Sequence, residues 1–522
     1  HAKRYKVLNV ASPCPSRTLR SFGRREDGAL IVFTLFMIVA MLLCIGIGVD
    51  VMRTEVTRTK LQQTADRAVL AAADLEQDLD AKAVVADYFE RNGLDPSLVD
   101  TVVAQTDGEK SVTASVTLDV RSLFLNMVGL PTLPAPAVGA AEESVTDVEI
   151  AVALDNSGSM GWNNDRRLNL LKPAARDFVD TVIKDDAAGS VAVSIVPFAT
   201  QVNAGPDLAA QFTLSGEHGY SHCVTFDGAS FDDAAVTTTQ PMTQAAHFDI
   251  FTWQAPVRTT GVVCPFDASR HITPWSTDRD FLKTKIDQMW AGGNTSIDVA
   301  AKWGAALLDP AARPALSGLI GSGVVDGGLS GQPFDYGRDN TMKVLVVMSD
   351  GQNTMQYTLD DEYRAGPSTV WKDPATGDYS YFDDGTGQYY SIADATWKAE
   401  PDGGAAAVNL AWPELLNEMS VARYARDIKQ AATGIAWGTT YDGMYGGVGA
   451  GTKNARASKI CEAAKNEGVI VFTIGMDTYG QGDATLLDCA SSPAHFFDVD
   501  GVDIDQAFSA IARQINQLRL TQ

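Results

Sequence analysis

The sequence predicts an α/β chain built on parallel strands and set behind a membrane-spanning helix. Three observations predict it. The apolar run Val148–Leu154 stops on the polar turn Asp155-Asn156-Ser157-Gly158-Ser159, the kind of turn that open α/β sheets carry at the carboxyl ends of their strands, where ligands bind. A second apolar run, Lys343–Met348, stops in the same way on Ser349-Asp350-Gly351. Ahead of both, Gly28–Val49 runs for 22 residues without a charge.

At about 1.5 Å per residue, a helix over 28–49 just spans a hydrocarbon core of about 30 Å. Asp50 and Arg53 follow directly, with no small-residue cleavage site, so an uncleaved anchor is expected rather than a signal peptide. Gly23–Glu26 matches a prepilin cleavage site only poorly, and no processing is expected. Lys3, Arg4, Lys6, Arg17, Arg20, Arg24 and Arg25 make residues 1–27 a basic head. Positive charge stays in the cytoplasm, so everything after Asp50 is expected outside.

Residues 50–143 read as a small α+β segment. Val56, Leu61, Ala65, Ala68, Val69, Ala72 and Leu75 recur at helical spacing. The helix is expected to continue to about Asp80, with a second from Ala81 to Arg91 before Gly93 and Pro96 break it. Ser111–Val120 alternates as a half-buried strand, and Pro131, Pro134 and Pro136 mark a hinge.

Residues 144–522 read as one large domain. Its strands are Val148–Leu154, Ser190–Phe198, Lys343–Ser349, Val469–Ile474 and His495–Val499. Its helices are Asp165–Ile183, Asp278–Trp290, Ile297–Leu308, Pro413–Ala432, Lys453–Asn466, Asp483–Ala490 and Ile504–Leu518. Insertions are expected at about 200–274, 310–340 and 352–412. The third carries a tandem, Thr376-Gly377-Asp378-Tyr379 echoed by Thr386-Gly387-Gln388-Tyr389, read as two hairpins whose aromatics pack the insertion or form a binding patch.

The chemistry lies in the turns. Asp155, Ser157 and Ser159, with Thr295 after Gly292-Gly293 and Asp350 at the second strand end, supply two carboxylates and three hydroxyls. These are hard oxygen donors, suited to Mg²⁺ or Mn²⁺. Five such groups, some acting through water, leave an octahedral ion room for an outside carboxylate. The competing reading is a Ser/Gly turn whose hydroxyls only cap helices.

Asp-x-Ser-x-Ser, a Thr after a Gly-rich turn and an Asp closing a strand resemble the three loops of the von Willebrand factor A (integrin I-like) domain. The resemblance implies a doubly wound, mostly parallel Rossmann-like sheet and metal-dependent protein binding. It carries the ligand roles onto Asp155, Ser157, Ser159, Thr295 and Asp350. The apolar span followed by Asp50, Leu61-Gln62, Asp66 and Ala71-Ala72-Ala73 resembles the amino-terminal segment of the tight-adherence (Flp) pilus-assembly proteins, TadE/TadG-like, whose TadG-like members carry an A domain behind the anchor. That implies a single-pass protein of the bacterial inner membrane with its A domain in the periplasm or directed to the surface. The partner is then a pilus or envelope protein offering an Asp or Glu carboxylate to the metal.

Other classes are weighed against this. Net charge is −24, which argues against nucleic acid as a partner. Six cysteines are few for a disulfide scaffold. Outside the cytoplasm, two local bridges among Cys223, Cys264, Cys461 and Cys489 are the economical pairing, and four free thiols the alternative. His218, His222, Cys223 and Cys264 have the residue types of a zinc site at a spacing that fits no standard finger. Ser159, Asp350 and His495 follow the chain order of an α/β-hydrolase triad, but Ser157 stands where the nucleophile elbow has Gly. No enzyme is expected. The remaining alternative is a structural envelope protein whose cup binds no metal.

Overall fold

The computed structural model describes residues 27–74, 79–106, 109–144, 146–184, 191–253 and 261–521. The basic head, Cys14 and the Gly23–Glu26 stretch lie outside the described residues. The chain divides into two units, His1–Ser144 and Val145–Gln522.

In the first unit, helix α1 (Asp27–Ala73) leads into α2 (Ala81–Arg91) and an antiparallel sheet of β1 (Val99–Thr106), β2 (Glu109–Arg121) and β3 (Thr132–Ser144), in the order β1-β2-β3. From Leu30 to Val49 nearly every large apolar side chain of α1 is exposed. Beyond Asp50 the helix becomes one-sided. Leu61, Ala65, Ala68, Val69 and Ala72 are buried against Val84, Val85 and Phe89 of α2 and Val112, Ala114, Val116, Ala135 and Ala137 of the sheet. Small residues let the helix sit close, and a Cβ on Gly139 would come within 2.9 Å of the Ala65 backbone.

Two expectations fail here for physical reasons. Helix α1 is described to Ala73 rather than to about Asp80, with α2 folded back onto its Leu61–Ala72 face, and the expected continuation over residues 75–78, Leu75 included, lies outside the described residues. The prolines are no hinge. Pro134 and Pro136 lie within β3, paired with Asp119 and Thr117. An edge strand tolerates proline where the missing N–H would face solvent, and here Ala135, Ala137 and Gly139 point inward while Pro134 and Pro136 point out.

The second unit is mixed α/β. Its main sheet holds β4 (Asp147–Asp155), β5 (Val191–Phe198), β6 (Thr273–Ser276), β7 (Thr341–Ser349), β8 (Ile470–Met476) and β9 (Phe496–Val499), in the order β9-β8-β7-β4-β5-β6. Pairings are parallel from β9 through β5, and β6 is an antiparallel edge that the sequence did not reveal. Strands buried on both faces read as unbroken apolar runs, and these alternate by face. Ile150, Val152, Leu154, Val344, Val346 and Met348 pack under α3 (Trp162–Val182), α4 (Arg279–Gln288) and α8 (Ile504–Thr521). Ala151, Ala153, Leu345, Val347 and Val471 pack on the other face under α5 (Ile297–Leu308), α6 (Ala450–Asn466) and α7 (Asp483–Cys489). Every residue of α5 is buried. This explains why its sequence is apolar all round, with Lys302 held by the Asp233 and Ala235 carbonyls.

The excursions form structure of their own. Pro367–Lys372, Tyr379–Asp383, Gln388–Ser391, Thr396–Lys398 and Val408–Ala411 make one five-stranded antiparallel sheet, not two separate hairpins. The tandem's two Thr-Gly pairs occupy successive turns of it, and Tyr381 with Val370, Leu410 and Trp412 builds its core. Phe248, Ile250 and Val263 of the first excursion enter that same core. The helix expected over 413–432 is broken at Met419, where the Ser420 hydroxyl accepts from the Arg423 N–H and caps a new start. Both expected bridges are present, Cys223–Cys264 and Cys461–Cys489. The zinc alternative therefore loses two thiolates, and His218 Nε2 donates to the Ala245 carbonyl at 2.9 Å.

The histidine buried in this region predicts acid sensitivity. His247 donates through Nε2 to Asn417 Oδ1 (3.1 Å), stacks on Tyr220 and lies 5.6 Å from the His218 ring. Burial, then the nearby His218 charge, pushes its pKa down to about 4. The folded state thus holds fewer protons than the unfolded chain as pH falls from about 6.5 to 4, and stability drops through that window. Unfolding free energies from urea denaturation at pH 7 and 4.5 are expected to differ by about 2–3 kcal/mol from this group. A His247→Gln variant is expected to lose that share of the difference.

Candidate functional site

Three turns meet beyond the carboxyl tips of β4 and β7. The first is Asp155–Gly161. Asp155 is fully buried, and its Oδ1 accepts the Ser157 N–H at 2.7 Å, which fixes the turn. Its Oδ2 accepts the hydroxyl of Ser349, the last residue of β7, also at 2.7 Å. The Ser157 and Ser159 hydroxyls lie 3.1 Å apart, and Ser159 donates to Asp350 Oδ1 at 2.7 Å. Asp155, Ser157, Ser159 and Asp350 therefore form one continuous cluster across residues 195 apart in sequence.

The second turn brings Thr295. The Gly158 N–H donates to the Gly293 carbonyl and the Gly292 N–H to the Asn156 carbonyl, both at 2.9 Å, so the first and second turns lie backbone to backbone. Gly293 has φ +86°, and a Cβ there would come within 2.8 Å of the Thr200 hydroxyl. Thr295, two residues on, is nearly buried, and its N–H donates to the Thr354 hydroxyl. All five residues expected in the cup lie in these three touching turns.

The helix-cap reading of the hydroxyls does not hold. Ser157 precedes the short 3₁₀ turn Gly158–Gly161 without a side-chain cap bond, and α3 has Gly161 at its N-cap position. The serine hydroxyls are turned toward each other and toward Asp350 instead.

Electrostatics make the cluster demanding. Burial, then the neighbouring Asp350 charge, raises the Asp155 pKa to about 7. Burial raises Asp350 as well, against the hydrogen bonds from Ser159 and Arg167. Two buried carboxylates facing each other without full compensation hold one another off ionisation. A hard cation bound between them would offset that cost, and the donor set of carboxylate and hydroxyl oxygens fits one. Among the described residues no cluster of three or more His, Cys, Asp or Glu side chains forms.

Several residues that the sequence did not flag hold the cup. Asn163, Asn164 and Asp165 all have φ between 55° and 61°, a left-handed run that reorients the chain before regular helix begins at Arg166. Arg167 Nη1 then donates to Asp350 Oδ2 at 2.7 Å, and Arg166 and Arg167 both bond Asp477 beyond the tip of β8. The local signal was two arginines in the first turn of a helix, where acidic residues are the usual choice. Lys453 on α6 is wholly buried and donates to the Thr295 carbonyl (2.6 Å), the Ser296 hydroxyl (2.6 Å) and the Thr354 carbonyl (2.8 Å). Burial brings its pKa down to about 8. Nothing in the sequence marks it. Lys453→Met strands those acceptors and is expected to lower stability by about 2 kcal/mol, measured by urea denaturation.

The hydrolase triad is not assembled. Ser159 bonds Asp350 directly, while His495 Nδ1 pairs with the Ser492 hydroxyl at 2.7 Å and its ring packs on Phe472. His495 precedes β9, at the end of that strand away from Val499 and the Asp477 turn.

Residues 28–75 match the Tad family, described as Flp pilus-assembly TadE/G-like. No curated protein matches the chain. Among solved structures, the chain is similar to the vWF domain of the type V pili tip protein Mfa5 from Porphyromonas gingivalis, with 14% identity over 71% of this chain and 96% of that one, at a TM-score of 0.33. It is similar to the pilus adhesin RrgA from Streptococcus pneumoniae, with 13% identity over 80% of this chain and 49% of that one (TM-score 0.32). It is also similar to proximal thread matrix protein 1 from the mussel byssus, described with a zinc occupied MIDAS motif, with 13% identity over 71% of this chain and 48% of that one (TM-score 0.28). The chain spans about half the length of the latter two.

Proposed function

We propose that the chain is a membrane-anchored envelope protein of a Flp-type pilus system that captures a protein partner through a hard divalent cation, Mg²⁺ or Mn²⁺. In this reading residues 28–49 cross the bacterial inner membrane with the amino terminus in the cytoplasm. The second unit is a von Willebrand factor A-type domain, doubly wound about the β9-β8-β7-β4-β5-β6 sheet and facing the periplasm or the surface. The family match over 28–75 supports the pilus setting.

One observation carries the binding reading. Asp155, Ser157, Ser159 and Asp350 share one hydrogen-bonded cluster at the tips of β4 and β7, and Thr295 stands in the turn locked against it. Asp155, Ser157, Ser159, Thr295 and Asp350 would hold the ion. When bound, it supplies a positive centre with a coordination position left for a partner's Asp or Glu. The chain's own groups prepare the seat. Ser349 orients Asp155, Arg167 orients Asp350, and Lys453 fixes the Thr295 carbonyl. Exposed Trp162, directly after the first turn, and Tyr479, just past the Asp477 that anchors Arg167, offer aromatic contact around it. Ser159 is bonded to Asp350, which supports a binding role for the cluster.

The test is calorimetric titration of the chelator-treated full chain with Mg²⁺ and with Mn²⁺. A single site with an affinity at or below the millimolar range is expected. No heat and no thermal shift with either ion would leave the alternative, an envelope protein whose cup is metal-free.

A further inference from the structure

We infer that the tip of the β2–β3 hairpin, Ser122–Pro131, is a second membrane-inserting element that dips into the same bilayer that α1 crosses. This rests on the anchor reading given above. The tip reads SLFLNMVGLP, ten residues without a charge. Five of its apolar side chains face outward, Leu123 57%, Phe124 39%, Met127 77%, Val128 56% and Leu130 52% exposed. A soluble hairpin turn is normally polar, so this surface calls for a cover.

Its position says what covers it. Asp50, the first charged residue after the apolar run, is buried and accepts three backbone N–H groups from the tip. Leu123 donates to Oδ1 at 2.8 Å, and Phe124 and Leu125 donate to Oδ2 at 2.7 and 2.8 Å. Phe124 lies over Gly46, so closely that a Cβ there would come within 2.5 Å of its ring. The tip is thereby held level with the last turns of the apolar segment, beside exposed Ile45, Ile47 and Val49. Its outer surface continues the lipid-facing surface of the helix.

Most of the tip's backbone N–H groups are satisfied internally, as hydrocarbon requires. Besides the three N–H groups on Asp50, those of Ser122, Met127, Gly129 and Leu130 donate to Pro131, Phe124, Asn126 and Leu125 carbonyls. Just above, Arg53 Nη1 donates to the Arg121 carbonyl, which places Arg53 and Arg121 where basic side chains reach lipid phosphates. A second copy or another pilus subunit would not require the patch to sit at the level where the helix leaves the apolar zone.

The experiment uses the full chain with Cys14→Ser and Cys44→Ser, reconstituted in phosphatidylethanolamine/phosphatidylglycerol vesicles. Single cysteines at Leu42→Cys, Met127→Cys or Val138→Cys carry an environment-sensitive nitrobenzoxadiazole label, and brominated lipid is the quencher. Val138 is exposed and lies beside Gln62, farther along α1. The expected result is at least twofold quenching at 42 and at 127 with none at 138. Quenching at 42 without quenching at 127 would overturn the inference and leave the anchor standing. No quenching at 42 would refute the anchor and the inference together. A blue shift at 127 that grows with protein-to-lipid ratio and resists brominated lipid would assign the tip to a second copy, and also overturns it.

Discussion

Asp155→Asn is expected to weaken divalent-cation binding strongly while leaving the apo protein as stable as the parent or more so. The carboxylate sits at zero exposure beside Asp350, and its pKa is raised to about 7 by burial and by that neighbour. A group whose folded pKa stands above its unfolded value costs stability once pH exceeds the unfolded value, so the charge is a burden to the apo fold at neutral pH. Asparagine keeps an oxygen for the Ser157 N–H and an amide to face Ser349, so the turn survives. What it removes is the charge opposite the cation. A unit charge near 4 Å from another is worth about 4 kcal/mol at an effective dielectric of 20, and the ion is divalent. Affinity for Mn²⁺ is therefore expected to fall by at least about 100-fold. Thermal denaturation with and without added ion reads both halves of this expectation. A variant that melts lower without metal, or binds the ion as tightly as the parent, contradicts it.

Lys343→Met is expected to cost about 4 kcal/mol of stability without altering the cup. Glu149 and Lys343 face each other directly across β4 and β7, near the strand ends away from the cup. Both are almost fully buried and in direct contact. Glu149 also accepts the Phe334 N–H, and Lys343 donates to the Leu308 carbonyl. Burial moves both pKa values toward the neutral forms, Glu149 up and Lys343 down. Removing the lysine leaves a carboxylate buried without its counter-charge. The double variant Glu149→Leu/Lys343→Met is expected to recover most of the loss, since an apolar pair of similar volume often matches a buried ion pair. Urea denaturation of the two variants decides this. A double variant as unstable as the single one would show that packing, not charge, sets the cost.

The cup was legible because strands that end on Asp and Ser announce themselves. Ile150–Leu154 and Val344–Met348 are apolar on both faces, so their carboxyl ends are marked by the next polar side chains, Asp155 and Ser349. Helices with a period, such as α3 and α8, were equally plain. What escaped was structure whose local chemistry points elsewhere. Strand β3 is rich in Pro, Ala and Gly, residues of low strand propensity, and becomes a strand because β2 offers a long partner and α1 needs small residues against it. Strand β6 is only four residues long. Arg167 and Lys453 could not be placed because their partners, Asp350 and Thr295, lie 183 and 158 residues away. A lysine looks solvated in sequence until the fold surrounds it with carbonyls.

Anomalous diffraction from crystals of the chain soaked in Mn²⁺ tests most directly whether one hard cation binds where the three turns touch. The expected result is a peak bounded by the Ser157, Ser159 and Thr295 side-chain oxygens, with Asp155 and Asp350 contacting it directly or through water. A well-occupied Mn²⁺ elsewhere, with that cup filled by the Arg167–Asp350 and Ser159–Asp350 contacts alone, would contradict it.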